Sequence, residues 1–317
     1  MEYARLGDTD LTVSELAFGT APLGGLFGSV DEAAGIAVVH EALDLGITLI
    51  DTSSSYGNAE ELLGKALAGR RQDVVLATKA GRSGSGFDFS PRGIRRSLDE
   101  SLRRLRTDHV DVFQLHNIEF AHLERLFDDS FAELVSLREH GKCRYIGMTG
   151  YPAPAMIRAL QEAELDVCLT YAHATLLDDT LQREIAPVAR DRHVGLINAA
   201  TVALGLLTPR GPADSSSHPA SAPLREAAQR MAALCASRAA DLAFVANQYS
   251  IQRSNCATTV IGTSKSHHLR SAVAAAETSL DEALLEELLA LRPPVEAQTW
   301  TSGLPENNVF NLRDRDR

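Results

Sequence analysis

The chain has little cysteine and almost no tryptophan: four and one among 317 residues. Cys143, Cys168, Cys235 and Cys256 form no C-x-x-C pair, which excludes zinc-ribbon and dithiol redox motifs. Each lies in or beside an apolar stretch, so free buried thiols in a reducing compartment are expected rather than disulfides or a metal site. Basic residues are also short, 31 against 42 acidic ones, for a net charge of −11. That balance excludes a broad nucleic-acid or anionic-membrane surface. The one concentration of positive charge, Arg92–Arg106, alternates with Asp99, Glu100 and apolar residues at helical spacing, as a solvated helix face does. No apolar run is long enough to span a bilayer, and the first residues lack the apolar core of a signal peptide. The expectation is a cytoplasmic protein that binds neither nucleic acid nor membrane. A last absence concerns glycine. Gly19, Gly24, Gly25 and Gly28 follow the first candidate strand, but not as G-x-G-x-x-G, which argues against a doubly wound open sheet.

What is present is alternation. Short β-branched or apolar runs at 16–20, 47–50, 74–78, 110–115, 144–148, 167–171, 194–199 and 257–261 read as strands. Helical stretches separate them. Asp31 caps the first, and Ser90-Pro91 supplies a cap and a first-turn proline for the third. Asn58 is expected to cap the second, and Gly141 to stop the helix 127–140. Eight strand–helix units with no composition break predict one domain over 1–317, an α/β (β/α)8 TIM barrel. A hairpin over residues 3–13 precedes it, and an extra C-terminal helix over 280–291 follows. The polar, Pro- and Ser-rich stretch 205–222 reads as a loop or flap over one face.

Residues 46–57, Gly-Ile-Thr-Leu-Ile-Asp-Thr-Ser-Ser-Ser-Tyr-Gly, organise the rest. A strand ends in Asp51, a polar loop of three serines follows, and Tyr56-Gly57 closes it. Lys79 ends the next strand and His116 the one after. On a barrel these are neighbouring strands whose carboxyl ends meet. A free phenol, with a pKa near about 10, is a poor base at neutral pH, and a nearby ammonium is expected to lower that value. Asp51 would hold the lysine charged, and a histidine beside the phenol can orient a substrate oxygen. The set suits proton transfer at a carbonyl/alcohol pair, with an organic cofactor handling the hydride and no metal.

These residues, with Asn58-Ala59-Glu60-Glu61-Leu62-Leu63-Gly64, Thr78-Lys79, Val110–His116 and Tyr145–Gly150, resemble the aldo-keto reductases over nearly the whole chain. The resemblance implies a nicotinamide dinucleotide bound without a Rossmann fold. It makes Tyr56 the proton donor or acceptor, with Asp51, Lys79 and His116 as partners. Residues 147–152, 203–208, 218–220 and 298–303 look like the branch of L-galactose, L-fucose and D-threo-aldose 1-dehydrogenases. That branch oxidises an aldose such as L-fucose, L-galactose or D-arabinose at C1 to a lactone, usually with NAD. The resemblance places the cofactor near Gly19, Thr20, Asp51, Thr149, Gly262, Thr263, Ser264, Lys265 and His268. Many NADP-using relatives carry a lysine where Gly262 stands and an arginine where His268 stands, so NAD is expected, with NADP as the alternative. Ser264 or Ser266 would cap the helix that follows. Departures from the family pattern fall at Thr149-Gly150, at 200–202 and at Ser271-Ala272. The substrate is expected to be a small sugar or carbonyl compound, touching Tyr56, His116 and Trp300, with 205–222 and Trp300 covering it. The same centre run backwards gives an NADPH-dependent aldehyde or ketone reductase. A non-catalytic binding barrel is the reading from another class. A monomer or homodimer is expected.

Overall fold

The structure is a computed structural model that describes residues 1–26, 28–83, 86–212 and 216–310. A hairpin of β1 (Tyr3–Arg5) and β2 (Thr12–Ser14) leads into β3 (Leu16–Gly19). Helix α1 (Glu32–Asp44) starts where the Asp31 carboxylate accepts the Ala34 N–H at 3.0 Å. β4 (Leu49–Asp51) and α2 (Ala59–Ala66) follow, then β5 (Val75–Ala80). A small antiparallel pair, β6 (Arg82–Ser83) and β7 (Gly86–Phe87), comes next. Helix α3 (Pro91–Leu105) is capped by Ser90, and β8 (Val110–His116) succeeds it. The next helical stretch is α4 (Leu123–Arg125), a π-turn over Leu126–Ser130 and α5 (Phe131–Glu139). The later units are β9 (Cys143–Gly150), α6 (Ala153–Glu162), β10 (Val167–Tyr171), α7 (Ala186–Asp191) and β11 (Gly195–Ala199). After α8 (Ala222–Ser237) and α9 (Leu242–Arg253) come β12 (Thr258–Gly262), α10 (Ser266–Glu277) and α11 (Glu282–Leu289).

Eight parallel strands close in the order β3-β4-β5-β8-β9-β10-β11-β12. The expected barrel is therefore observed, with the hairpin before it and the extra helix after. Inside it, Ala17, Leu49, Ala77, Val112, Val167, Leu169, Ile197 and Val260 pack with Leu6, Leu11 and Val13 of the hairpin region, which seals the amino end. The opposite faces of the strands join the helices in a larger apolar cluster. Each fully buried aliphatic side chain contributes roughly 1.5–3 kcal/mol by leaving water.

Four local expectations differ from what is observed. β4 begins at Leu49, because the Ile47 N–H bonds to Ala42 O and finishes the preceding helix turn. Asn58 occupies the cap position of α2, but its side chain makes no capping bond. The helix expected at 127–140 carries a π-turn over Leu126–Ser130, and a second π-turn, Leu181–Ile185, leads into α7. The described part of 205–222 is not a free flap: Leu207 is fully buried, and His218 Nε2 meets Ala203 O at 3.0 Å. Residues 213–215 of that stretch lie outside the described residues, as do Gly84 and Ser85 of 81–86, a stretch whose glycines and serines read as a flexible loop.

Other expectations match. Gly141, with φ +72°, ends α5 in the left-handed conformation. Arg95, Arg96 and Arg103 of α3 are exposed, with Arg95 paired to Glu133 and Arg96 to Asp88, whereas Arg104 turns inward to the buried Glu60 at 2.7 Å. All four cysteines are free, and three of them are buried. Among the described residues no helix is long and apolar enough to cross a membrane.

Candidate active site

Strand alternation decides which side chains meet. Leu49, Ala77 and Val112 point into the barrel, so residues two further on point inward too, one layer higher. Those residues are Asp51, Lys79 and Gln114, with His116 above Gln114. Register puts β4 beside β5 and β5 beside β8. Lys79 is 1% exposed, and its ammonium donates to Asp51 Oδ1 at 2.5 Å and to the Thr52 carbonyl at 2.8 Å. The same Nζ lies 5.1 Å from the centroid of the Tyr56 ring. The His116 ring meets Tyr56 edge-on, with centroids 5.7 Å apart. The four residues predicted to act together are thus brought together at the carboxyl rim.

Burial opposes charge on Lys79, but Asp51 and Tyr56 more than offset it and hold its pKa above the ordinary lysine value. Burial raises the Asp51 carboxyl, with Lys79 and the Gln114 amide pulling it back. The phenol corrects an expectation from sequence. Burial pushes the Tyr56 pKa up, and the charges of Lys79 and Arg82 offset this only in part. Tyr56 is therefore protonated at neutral pH in the ligand-free protein. His116 is held well below 6.5, first by burial and then by Lys79 and Arg82, so its imidazole is neutral.

Tyr56 is also fixed from behind. A Cβ on Gly24 would lie 1.7 Å from the Tyr56 carbonyl oxygen, and one on Gly57 (φ +54°) 2.0 Å from the Gly24 carbonyl oxygen. The loop after β3 thus presses backbone to backbone against the tyrosine loop. Gly24→Ala should shift that backbone, at about 1–3 kcal/mol of stability, and should lower kcat together with the melting temperature. Thermal melts and initial rates check this, and unchanged values would show that the contact does not hold Tyr56.

The other half of the rim is bare. Gly19 and Gly262 are register partners, and Ala199 ends β11. Beyond Gly262, helix α10 begins with no side-chain cap and no acid in its first turn. The expected caps Ser264 and Ser266 are not used. Instead Thr263 Oγ1 accepts the Lys265 N–H at 3.0 Å and lies 3.4 Å from His268 Nδ1. Free helix N–H groups beside Lys265, with no acid to compete, suit the phosphates of a dinucleotide. Thr149 is the register partner of His116, and its Oγ1 accepts the Asn117 N–H. Thr20 is different: it is fully buried, with its hydroxyl bonded to Thr52 Oγ1 at 2.7 Å, and is committed to joining strand ends. Trp300 stacks on Tyr151 at 4.3 Å and gives its backbone N–H to the Tyr151 hydroxyl. Among the described residues, no cluster of His, Cys, Asp and Glu has the makings of a metal site.

Three contributors went unread in the sequence. Ser53 and Ser55 touch His116, although the serine loop was visible as polar chain next to the tyrosine. Arg82 sends its charge to both Tyr56 and His116 from a loop that only looked flexible.

A closed barrel carrying a phenol, an ammonium, a carboxylate and an imidazole at the carboxyl ends of adjacent strands has the groups that proton transfer at an oxygen needs. The chain belongs to the Aldo/keto reductase family, whose profile matches residues 15–292. It is 38% identical to L-galactose dehydrogenase of Arabidopsis thaliana over 319 residues, covering 97% of this chain and 99% of that one. It is 29% identical to D-threo-aldose 1-dehydrogenase of a Pseudomonas species, over 89% and 95% of the two chains. Among solved structures, the holo form of an aldo-keto reductase from Bacillus halodurans matches with a TM-score of 0.78 and 27% identity, over 98% of this chain and all of that one. The chain is an oxidoreductase.

Proposed function

We propose that this protein oxidises an aldose of the L-galactose, L-fucose or D-arabinose type at C1 to its lactone, with NAD as hydride acceptor. The observation that carries the reading is Lys79, fully buried and bonded to Asp51, beneath a tyrosine that meets His116 edge-on. When bound, the nicotinamide cofactor supplies hydride acceptance. Gly19, Gly262, Thr263, Ser264, Lys265 and the α10 N-terminus would hold it, with Thr149 at the nicotinamide side.

The chain's own residues handle the proton. Tyr56 Oη first releases its own proton to solvent; the phenolate then takes the proton of the anomeric hydroxyl and becomes a phenol again. Lys79 stabilises the phenolate that does so, and Asp51 keeps Lys79 charged and oriented. His116 hydrogen-bonds the sugar oxygen. The Trp300–Tyr151 stack, with His218 edge-on to Trp300, would cover the substrate and restrict water. The reverse reaction, reduction of an aldehyde or ketone with Tyr56 as acid, is favoured by the protonated phenol of the ligand-free protein. A panel of aldoses with NAD and with NADP, read at the reduced-nicotinamide band, tests the choice. NAD turnover with an aldose supports the first reading. Activity confined to NADPH and simple aldehydes would overturn it.

Coenzyme choice has its own test. Gly262 and His268 leave no fixed pair of cations for a 2′-phosphate. Gly262→Lys with His268→Arg should tighten NADP by about tenfold through charge-assisted bonds, with little change for NAD. Fluorescence titration measures both, and an unchanged ratio would move the adenine end elsewhere.

A further inference from the structure

The geometry points to Ser53 as a positioning residue that sets the tautomer of His116. Its hydroxyl holds Nδ1 as a hydrogen-bond acceptor, so that the ring's only proton sits on Nε2, toward the substrate oxygen. This rests on the reading of His116 as the ligand of that oxygen.

The argument is a count of hydrogens. His116 Nδ1 lies 3.0 Å from Ser53 Oγ and 3.4 Å from Ser55 Oγ. Ser53 Oγ accepts the Ser55 backbone N–H at 3.1 Å and lies 2.9 Å from Ser55 Oγ. The charges that bear on the ring are those of Lys79 and Arg82, both cations. Among the described residues no carboxylate is placed to stabilise an imidazolium, so the ring carries one proton. Suppose first that this proton is on Nδ1. It then donates to Ser53 Oγ, whose second lone pair already receives the Ser55 N–H. The Ser53 hydroxyl turns to Ser55 Oγ, and the Ser55 hydroxyl has no acceptor left within the cluster. Suppose instead that the proton is on Nε2. The Ser53 O–H donates to Nδ1, while Ser53 Oγ receives the Ser55 N–H and the Ser55 O–H. Every hydrogen on the Nδ1 side of the ring is then placed within the cluster, and the Nε2 proton is left for the substrate oxygen.

Ser53 is 1% exposed, so water does not readily substitute for its hydroxyl. Its position also explains the polar loop between Asp51 and Tyr56. The segment that carries the tyrosine carries the group that orients the histidine, and a turn bond from the Tyr56 N–H to Ser53 O at 3.0 Å ties the two together. One loop therefore sets both partners of the reacting oxygen. The nitrogen that bonds the substrate is fixed by the bond that the other nitrogen makes.

The test is nitrogen-15 NMR of the imidazole in the resting full-length protein, with the His116 signal assigned by its loss in His116→Gln. The expected spectrum has Nδ1 unprotonated and Nε2 protonated. In Ser53→Ala the signal should move toward a mixture of tautomers. The kcat should fall about 10- to 100-fold, as for loss of an orienting partner of histidine, with cofactor Kd unchanged. Ser53→Thr, which keeps a hydroxyl, should restore both the spectrum and much of the rate. A wild-type ring protonated on Nδ1 would overturn the inference, whether or not the variants fold. So would a Ser53→Ala protein with an unaltered tautomer. Because the spectrum is read without substrate, it separates this inference from the proposed reaction: loss of the sugar dehydrogenase reading would leave the tautomer result standing.

Discussion

Tyr56→Phe should lose about 100- to 10,000-fold in kcat while binding the cofactor as the wild type does. The substitution deletes one oxygen and little volume. The ring still meets His116 edge-on, as it does at 5.7 Å now, and Lys79 keeps its bonds to Asp51 and Thr52 O. What disappears is the atom that exchanges a proton with the substrate. A loss confined to kcat and kcat/KM, with cofactor Kd unmoved, is the signature of an interaction used in the transition state. Stopped-flow and fluorescence titration separate the two quantities. Near-normal turnover in the phenylalanine variant would assign the proton to another group, and no other phenol is placed against Lys79.

The second large effect concerns stability. Lys79→Met should cost about 3–5 kcal/mol at neutral pH, because it strands the Asp51 carboxylate in the barrel without a counter-charge. Asp51 Oδ2 already lacks a hydrogen-bond partner, so Oδ1 would lose the one strong donor that the carboxylate has. The pH dependence follows from the sign of the Asp51 shift. Burial raises its pKa above 3.8 even with Lys79 present, and removing the cation raises it further. The folded variant then binds a proton at a pH where the unfolded chain, near 3.8, has released it. Its stability therefore rises as pH falls through the folded value toward 3.8, where the contribution is fully present, and is lost as pH rises back through the folded value. Asp51→Asn combined with Lys79→Met should recover most of the stability and none of the activity. Chemical denaturation across pH measures all of this. A flat profile for the single variant, or a double variant less stable than either single one, would contradict the buried ion pair.

Much of this was legible in the sequence because its signals are local. Eight apolar runs separated by helical periodicity announce the barrel. Asp51, Tyr56, Lys79 and His116 each stand at or just after a strand end, and alternation within strands does the rest. Inward Leu49, Ala77 and Val112 make Asp51, Lys79 and Gln114, two residues further on, point inward as well. The misread parts depend on depth or on distant neighbours. The direction of the Tyr56 shift follows from how completely the site is enclosed, which no local pattern records. Thr20 looked free for a cofactor, and only the pairing of β3 with β4 shows its hydroxyl spent on Thr52. Trp300 stood alone in a polar tail, and its stacking partner Tyr151, 149 positions away, is visible only in the fold. Ser53 was one of three similar serines until the fold laid it against His116. Asn58 has the right residue type for a cap, and the turn that closes on Tyr56 O instead leaves its side chain out.

The most direct measurement follows the hydride itself. The protein is supplied with NAD and an aldose deuterated at C1, and the products are read by mass spectrometry. The account predicts that deuterium appears in the reduced nicotinamide, that the sugar leaves as its lactone, and that the rate is slower than with the protiated sugar. Reduced cofactor without deuterium, or no reduction with any aldose of the panel, would contradict it.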